Sequence, residues 1–257
     1  MILCFDIGNT DIDVGVFDND LHVKDFHIPY RKEQSCWTYL GSILKALKAN
    51  DITPEDVKGS ILCSVVANST QGVYEAMEIA FSHKPVLFEN NPDITGIEIK
   101  TDNPAEVGLD IIAGCMTIKE KYTLPAIAVD MGTGTTLTAM DETGAILGVS
   151  IVPGVIIALE ALNQRTGLPI DKSLTPPEKV IGTNTADSIA SGAVYGNAYL
   201  MDGLIYAMEK EMGAKCNVYA TGGISKVIMP LCSHESVLND DMLLEGLYIY
   251  YKRTKGL

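Results

Sequence analysis

Three short stretches of this chain carry residue types suited to handling a phosphoryl group. They are Asp6-Ile7-Gly8-Asn9-Thr10, Asp130-Met131-Gly132-Thr133-Gly134-Thr135-Thr136 and Thr221-Gly222-Gly223. In the first two, an aspartate leads into a glycine turn rich in amides and hydroxyls. Such a concave turn suits a phosphate, and the leading carboxylate suits a cation beside it. A shift of 124 positions (130 − 6) lays Asp6 on Asp130 and Gly8 on Gly132. The plainer reading is two unrelated turns, because Asp, Gly, Asn and Thr are ordinary turn residues. Two copies, each directly after an apolar strand pattern, favour a duplicated fold with one phosphate-gripping hairpin per half. The Gly222-Gly223 pair permits close approach of a flat group such as adenine. Asp110, at a loop-to-helix start, could accept a hydroxyl proton, or could simply be a first-turn acid favoured by the helix dipole.

The elements that must position these residues follow from apolar periodicity. Residues 1–30 predict the first hairpin and a third strand. Apolar residues at 37, 40, 43, 44 and 47 predict a helix over 35–49, with Trp37 as a packing residue. A strand over 60–66, a helix over 73–81 and a strand over 85–88 follow, then a helix over roughly 105–121. The Asp130 hairpin opens the second half. It is followed by a helix over 155–163, an irregular proline-rich stretch over 165–184, a long helix over 185–212, a strand over 217–220 and a closing helix over 243–251. Strands followed by βαβ units predict an α/β fold with helices on both sheet faces. The expected domains are 1–123 and 124–257. Small residues at Ala190, Gly192, Ala193, Gly196 and Ala198 would let another backbone approach the long helix.

Composition narrows the class. The chain of 257 residues is 47% hydrophobic and 20% charged, ordinary for a globular protein. A formal charge of −14 argues against a nucleic-acid partner. No apolar run approaches the roughly 20 residues that span a bilayer, so no membrane is expected. The start lacks the basic region of a signal peptide, which points to the cytoplasm. The six cysteines show no C-x-x-C pair; Cys4, Cys63 and Cys216 read as reduced core residues. The four histidines show no metal-ligand spacing and are assigned to surface or loops.

Taken together and in this order, the three motifs resemble those of the actin-like superfamily of sugar kinases and ATPases. More narrowly, the chain is similar to type III pantothenate kinases over nearly its whole length. The likeness includes Pro104-Ala105-Glu106-Val107-Gly108, Pro153-Gly154, the stretch from Asn184-Thr185 to Gly192, and the closing Leu243 to Tyr248 segment. It implies an α/β fold of two duplicated ribonuclease-H-like domains with a nucleotide cleft between them. It further implies a homodimer, ATP with Mg2+, and a monovalent cation (K+ or NH4+). The implied reaction moves the γ-phosphoryl of ATP to the hydroxyl of pantothenate, the first step of coenzyme A biosynthesis. By the resemblance, Asp6, Gly8, Asn9 and Thr10 hold phosphate, with Asp6 also on magnesium. Thr133, Gly134, Thr135 and Thr136 grip the other side of the triphosphate, Asp130 serves the monovalent cation, and Gly222 with Gly223 borders adenosine. Asp110 matches the catalytic aspartate, and Gly108, Asp110 and Thr185 contact the substrate.

Two positions depart from the family pattern. Ile111 stands where the family has an arginine, and Thr101 falls where it has a tyrosine. Losing that arginine removes a cationic fork for the carboxylate of pantothenate. Two alternatives follow: a divergent homologue that phosphorylates another small alcohol, and a non-catalytic, nucleotide-binding regulatory paralogue.

Overall fold

A computed structural model describes residues 1–29, 31 and 33–257. The chain divides into two compact units: Met1–Ile97, Asp102–Glu120 and Asp241–Leu257 form the first, and Glu98–Thr101 with Lys121–Asp240 form the second. Each holds one five-stranded sheet.

In the first unit, β1 (Ile2–Ile7), β2 (Asp11–Asp18) and β3 (Leu21–Pro29) form an antiparallel meander; Tyr30, the end of the expected stretch, lies outside the described residues. The chain continues through α1 (Cys36–Ala49), β4 (Gly59–Ser64), α2 (Ala67–Phe81), β5 (Val86–Leu87), α3 (Pro92–Thr95), α4 (Leu109–Lys121) and the closing α8 (Met242–Lys255). The strand order is β3-β2-β1-β4-β5, with β4 and β5 joined in parallel. Leu3, Phe5 and Ile7 of β1 bury one face against Tyr39, Ile43 and Leu47 of α1 and Val73, Met77 and Phe81 of α2. Alternate residues take the other face, where Gly15 meets Leu244 of α8 and Phe17 stacks on Tyr248. Trp37, expected to pack, is instead 69% exposed: the buried stripe of α1 begins at Tyr39, and Trp37 sits outside it.

The second unit repeats the plan. It comprises β6 (Ala126–Met131), β7 (Gly134–Met140), β8 (Ile146–Pro153), α5 (Val155–Thr166), α6 (Thr185–Met212), β9 (Asn217–Thr221), α7 (Ser225–Ile228) and β10 (Ser236–Leu238). Read from β8, the order is β8-β7-β6-β9-β10, the same as in the first sheet and with the same polarities. The core joins Ile127, Val129, Met131 and Leu137 to Val155 and Leu159 of α5 and Val194, Ala198 and Met201 of α6. Helices α5 and α6 are cap-limited: Gly167 and Gly213 end them with φ of 70° and 69°, the left-handed geometry that favours glycine.

All six cysteines are free, with Cys4, Cys63 and Cys115 buried; Cys216 is only partly so and lies just before β9. No helix among the described residues is long and apolar enough to cross a membrane. The closing helix differs from the expected division at 123/124, since α8 packs on β1, β2 and β4 of the first sheet.

Candidate active site

In the first unit the chemistry gathers at the carboxyl end of β1. Because residues 3, 5 and 7 enter the core with α1 and α2, Asp6 takes the opposite face. The parallel ladder sets it beside Cys63 of β4. Asp6 is only 8% exposed and Cys63 is fully buried. Burial, then the charges of Asp6 and Asp110, and then a hydrogen bond with Asp6 hold the Cys63 thiol well above its ordinary range. Both carboxylates thus act electrostatically on one buried thiol, Asp6 as its direct neighbour across the ladder.

Past Asp6 the chain turns through residues 8–11, and the Gly8 N–H donates to Asp11 O at 3.0 Å. Asn9 and Thr10 stand exposed at the tip. Asp110 lies in the first turn of α4, where its Oδ1 accepts the Ile111 N–H at 2.8 Å. Burial pushes its carboxyl above the usual aspartate range, against the pull of backbone hydrogen bonds. Gly108 makes room for it, as a methyl group there would overlap Asp110 Oδ1. Ile111 is partly buried in the next position.

The second unit presents the matching hairpin. Asp130 pairs with Thr136 on β7 and with Thr221 on β9. The Gly132 N–H donates to Gly134 O at 3.1 Å. This loop is one residue shorter than its counterpart: three residues separate the pair Met131–Thr135, against four between Ile7 and Ile12. Two glycines clamp the turn. Gly222 has φ +90°, and a Cβ there would meet Asp130 Oδ1 and the Met131 backbone at about 2.7 Å. A Cβ on Gly154 would lie 2.6 Å from Gly132 O. Gly223 faces open space, while Ser225, fully buried, donates from its N–H and hydroxyl to Gly222 O.

Strand alternation separates the four expected phosphate residues. Thr133 and Gly134 are exposed at the tip, and Thr136 shares the face of Asp130. Thr135 points the other way, fully buried, and its Oγ1 has no hydrogen-bond partner among the described residues. Its partner across the ladder is Met131 of the core, so Thr135 sits under the turn on the core side and apart from the exposed tip. The side chains of Asp6, Asp110 and Asp130 offer hard carboxylate oxygens, the donor type that suits magnesium or an alkali cation.

Thr185, the first residue of α6, is exposed beside the N-cap Asn184, whose Oδ1 accepts the Asp187 N–H at 2.9 Å. It lines a cavity of about 750 Å³ between α5 and α6 with Val155, Leu159, Leu162, Gly192 and Asn197, and no ionisable side chain lines it. Sequence reasoning missed two contributors. Cys63 reads from sequence only as a core cysteine, because its pairing with Asp6 depends on the register between two separate strands. Gly154 was visible as a Pro-Gly after a strand, but not as a wedge against the phosphate turn.

A sequence profile of the family described as type III pantothenate kinase matches residues 2–207. The protein of that description from Syntrophus aciditrophicus is 35% identical over 99% of this chain and all of its own length. The chain belongs to the type III pantothenate kinase family. A second relative of the same description, from Dictyoglomus turgidum, is also 35% identical and is covered completely, with 99% of this chain aligned. Among solved structures, a Baf-family protein from Campylobacter jejuni superposes with TM-score 0.64 at 17% identity, covering 99% of this chain and all of its own. The activator of 2-hydroxyisocaproyl-CoA dehydratase from Clostridium difficile superposes with TM-score 0.55 at 12% identity, covering 99% and 96%. These distant likenesses bear on fold alone. This type III pantothenate kinase family member has the duplicated α/β fold of actin-like ATPases and sugar kinases.

Proposed function

We propose that this protein transfers the γ-phosphoryl group of ATP to the hydroxyl of pantothenate, the entry step of coenzyme A biosynthesis. The observation that carries the reading is the Asp110 carboxyl, set in the first turn of α4 with Gly108 making room for it and raised by burial, in the same unit as the buried Asp6 at the end of β1. The acceptor oxygen bonds to the γ-phosphorus as the bond to the β,γ-bridging oxygen breaks. The hydroxyl proton passes to Asp110 and ADP leaves. Because phosphoryl transfer depends mainly on positioning and charge neutralisation, the remaining residues have holding roles.

Asp6, Gly8, Asn9 and Thr10 are assigned to phosphate, with Asp6 on magnesium. Thr133, Gly134 and Thr136 are assigned to the remaining phosphates with Thr135 beneath them, Asp130 to potassium or ammonium, Gly222 and Gly223 to adenosine, and Gly108 and Thr185 to the acceptor. Magnesium, when bound, offsets charge on the phosphoryl oxygens. On α6, Gly192, Gly196, Tyr199, Gly203 and Tyr206 are exposed at spacings of four and three, and a Cβ on any of the three glycines meets nothing within 4 Å. That face supports a homodimer packed helix on helix. Use of ATP as the phosphoryl donor supports a cytoplasmic location.

The test is ADP release coupled to a spectroscopic readout, with pantothenate, ATP, magnesium and potassium present. Turnover dependent on pantothenate is expected; none at any practical concentration rejects the reading. Ile111 favours a second reading, because it cannot pair a carboxylate. Faster turnover with an uncharged alcohol than with pantothenate would establish it.

A further inference from the structure

His22, Asp25 and Asp241, all of the first unit, each bring a ligand atom to within 4.8 Å of the other two. His22 and Asp25 lie three apart on β3, and a regular strand would send them to opposite faces. The β2–β3 ladder avoids this by shifting register between Val16 and Phe17, so that His22 pairs with Phe17 and Asp25 with Gly15. Phe17 and Gly15 both face α8: the Phe17 and Tyr248 rings stack at 4.3 Å, and a Cβ on Gly15 would meet Leu244 Cβ at 3.1 Å. The irregularity therefore turns both His22 and Asp25 toward α8. Re-aiming a side chain is a known use of a β-bulge.

Asp241 occupies the N-cap position of α8 but makes no side-chain cap bond. Its Oδ2 lies 2.9 Å from His22 Nδ1. That is about the separation of neighbouring ligands on an ion with bonds of roughly 2.1 Å. The other ring nitrogen, Nε2, is buried without a hydrogen-bond partner among the described residues. The polar engagement of the ring is thus all on the Asp241 side, while its face packs on Phe17 at 5.0 Å. Asp25 is exposed, leaving a solvent side for water ligands.

We propose that His22, Asp25 and Asp241, none of them among the residues assigned to phosphoryl transfer, form a cation site for a first-row divalent transition metal. One imidazole and two carboxylates match the charge of such an ion. The imidazole favours it over magnesium or calcium, which prefer all-oxygen sets. A bound ion would tie β3 to the start of α8.

Co2+ is the probe, titrated into chelator-stripped full-length protein in excess magnesium. The expected result is one tightly bound ion per chain, an absorption spectrum without a thiolate charge-transfer band, and a Tm raised by about 3 °C or more. Asp25→Asn, on an exposed strand position, and His22→Gln should each weaken uptake by about tenfold or more and erase the Tm shift, with far-UV circular dichroism unchanged. No uptake by the unaltered protein, or uptake equal in both variants, overturns the site.

Discussion

Asp110 shows how one residue can be tuned against the stability of its own fold. Burial raises its carboxyl, which moves a base toward the pH at which it must work. The folded state then holds the proton more tightly than the unfolded chain does. Stability therefore falls as pH rises from the ordinary aspartate value through the raised one. Asp110→Asn keeps an acceptor for the Ile111 N–H but removes the charge. Turnover should fall by roughly 10²–10⁴-fold, while Tm at pH 7 equals or exceeds that of the unaltered protein and the gap closes below about pH 4. Turnover near the original rate would remove Asp110 from the base role. The glycines of the 222–223 turn make a second residue-scale contrast. Gly222→Ala meets both a positive φ and the Asp130 carboxylate, and should cost about 2–3 kcal/mol in urea unfolding as well as nucleotide affinity. Gly223→Ala meets nothing and should stay within about 0.5 kcal/mol. The sequence marks both as glycines, but only the fold distinguishes the strained one.

At the scale of elements, local chemistry decided what could be read in advance. The expected span of α6, 185–212, matches the structure because Asn184 caps one end and Gly213 stops the other. Helix α2 starts at Ala67, earlier than expected, since Asn68, Ser69 and Thr70 give its first turn no apolar period. The stretch expected as one helix from 105 breaks into a 3-10 turn at Pro104–Glu106 before α4 begins at Leu109. Proline fixes that turn, and Gly108 separates it from the helix. The twin hairpins were legible from their aspartates and glycines, but their unequal loops were not, because register depends on pairing across strands. The turn between β7 and β8 carries its own prediction. Burial alone would raise the Asp141 carboxyl, but hydrogen bonds from Lys100, Thr143 and Ala145 hold it far below the usual range. Its Oδ1 accepts the Thr143 N–H at 2.9 Å and the Ala145 N–H at 3.0 Å, and Lys100 Nζ donates to Oδ2 at 2.7 Å. A carboxyl depressed on folding adds stability above its unfolded value, and that contribution begins to be lost as pH falls below about 4 and goes on falling toward the depressed folded value. Asp141→Asn should therefore destabilise by about 2 kcal/mol at pH 7, with the difference shrinking in acid. A constant difference from pH 7 to 3 would show that the turn geometry, not the charge, is responsible.

For the whole molecule, the chain's two ends belong to one unit, which no local pattern announces. Apolar periodicity predicts that α8 is a helix and buries a face, but it cannot say which sheet receives that face. The structure gives it to the first: Tyr250 packs on Phe88 with centroids 4.6 Å apart, Gly246 presses on the Ala113 backbone, and Arg253 donates to Ile94 O, Thr95 O and Glu120. Met242, Leu244, Leu247, Ile249, Tyr250 and Tyr251 are all buried there. At about 1.5–3 kcal/mol each, these six side chains contribute on the order of 10 kcal/mol, comparable to the net stability of a domain. A fragment of residues 1–123, the division expected from sequence, should thus stay expanded or aggregate. A chimera that joins residues 1–120 to 241–257 through a flexible linker should regain a cooperative unfolding transition and protection of β1 and β4 from hydrogen exchange. The linker only raises the effective concentration of α8, so added 241–257 peptide should restore the same protection at high concentration. Folding of the 1–123 fragment without that helix would show that α8 is an accessory to the first sheet and not part of its core.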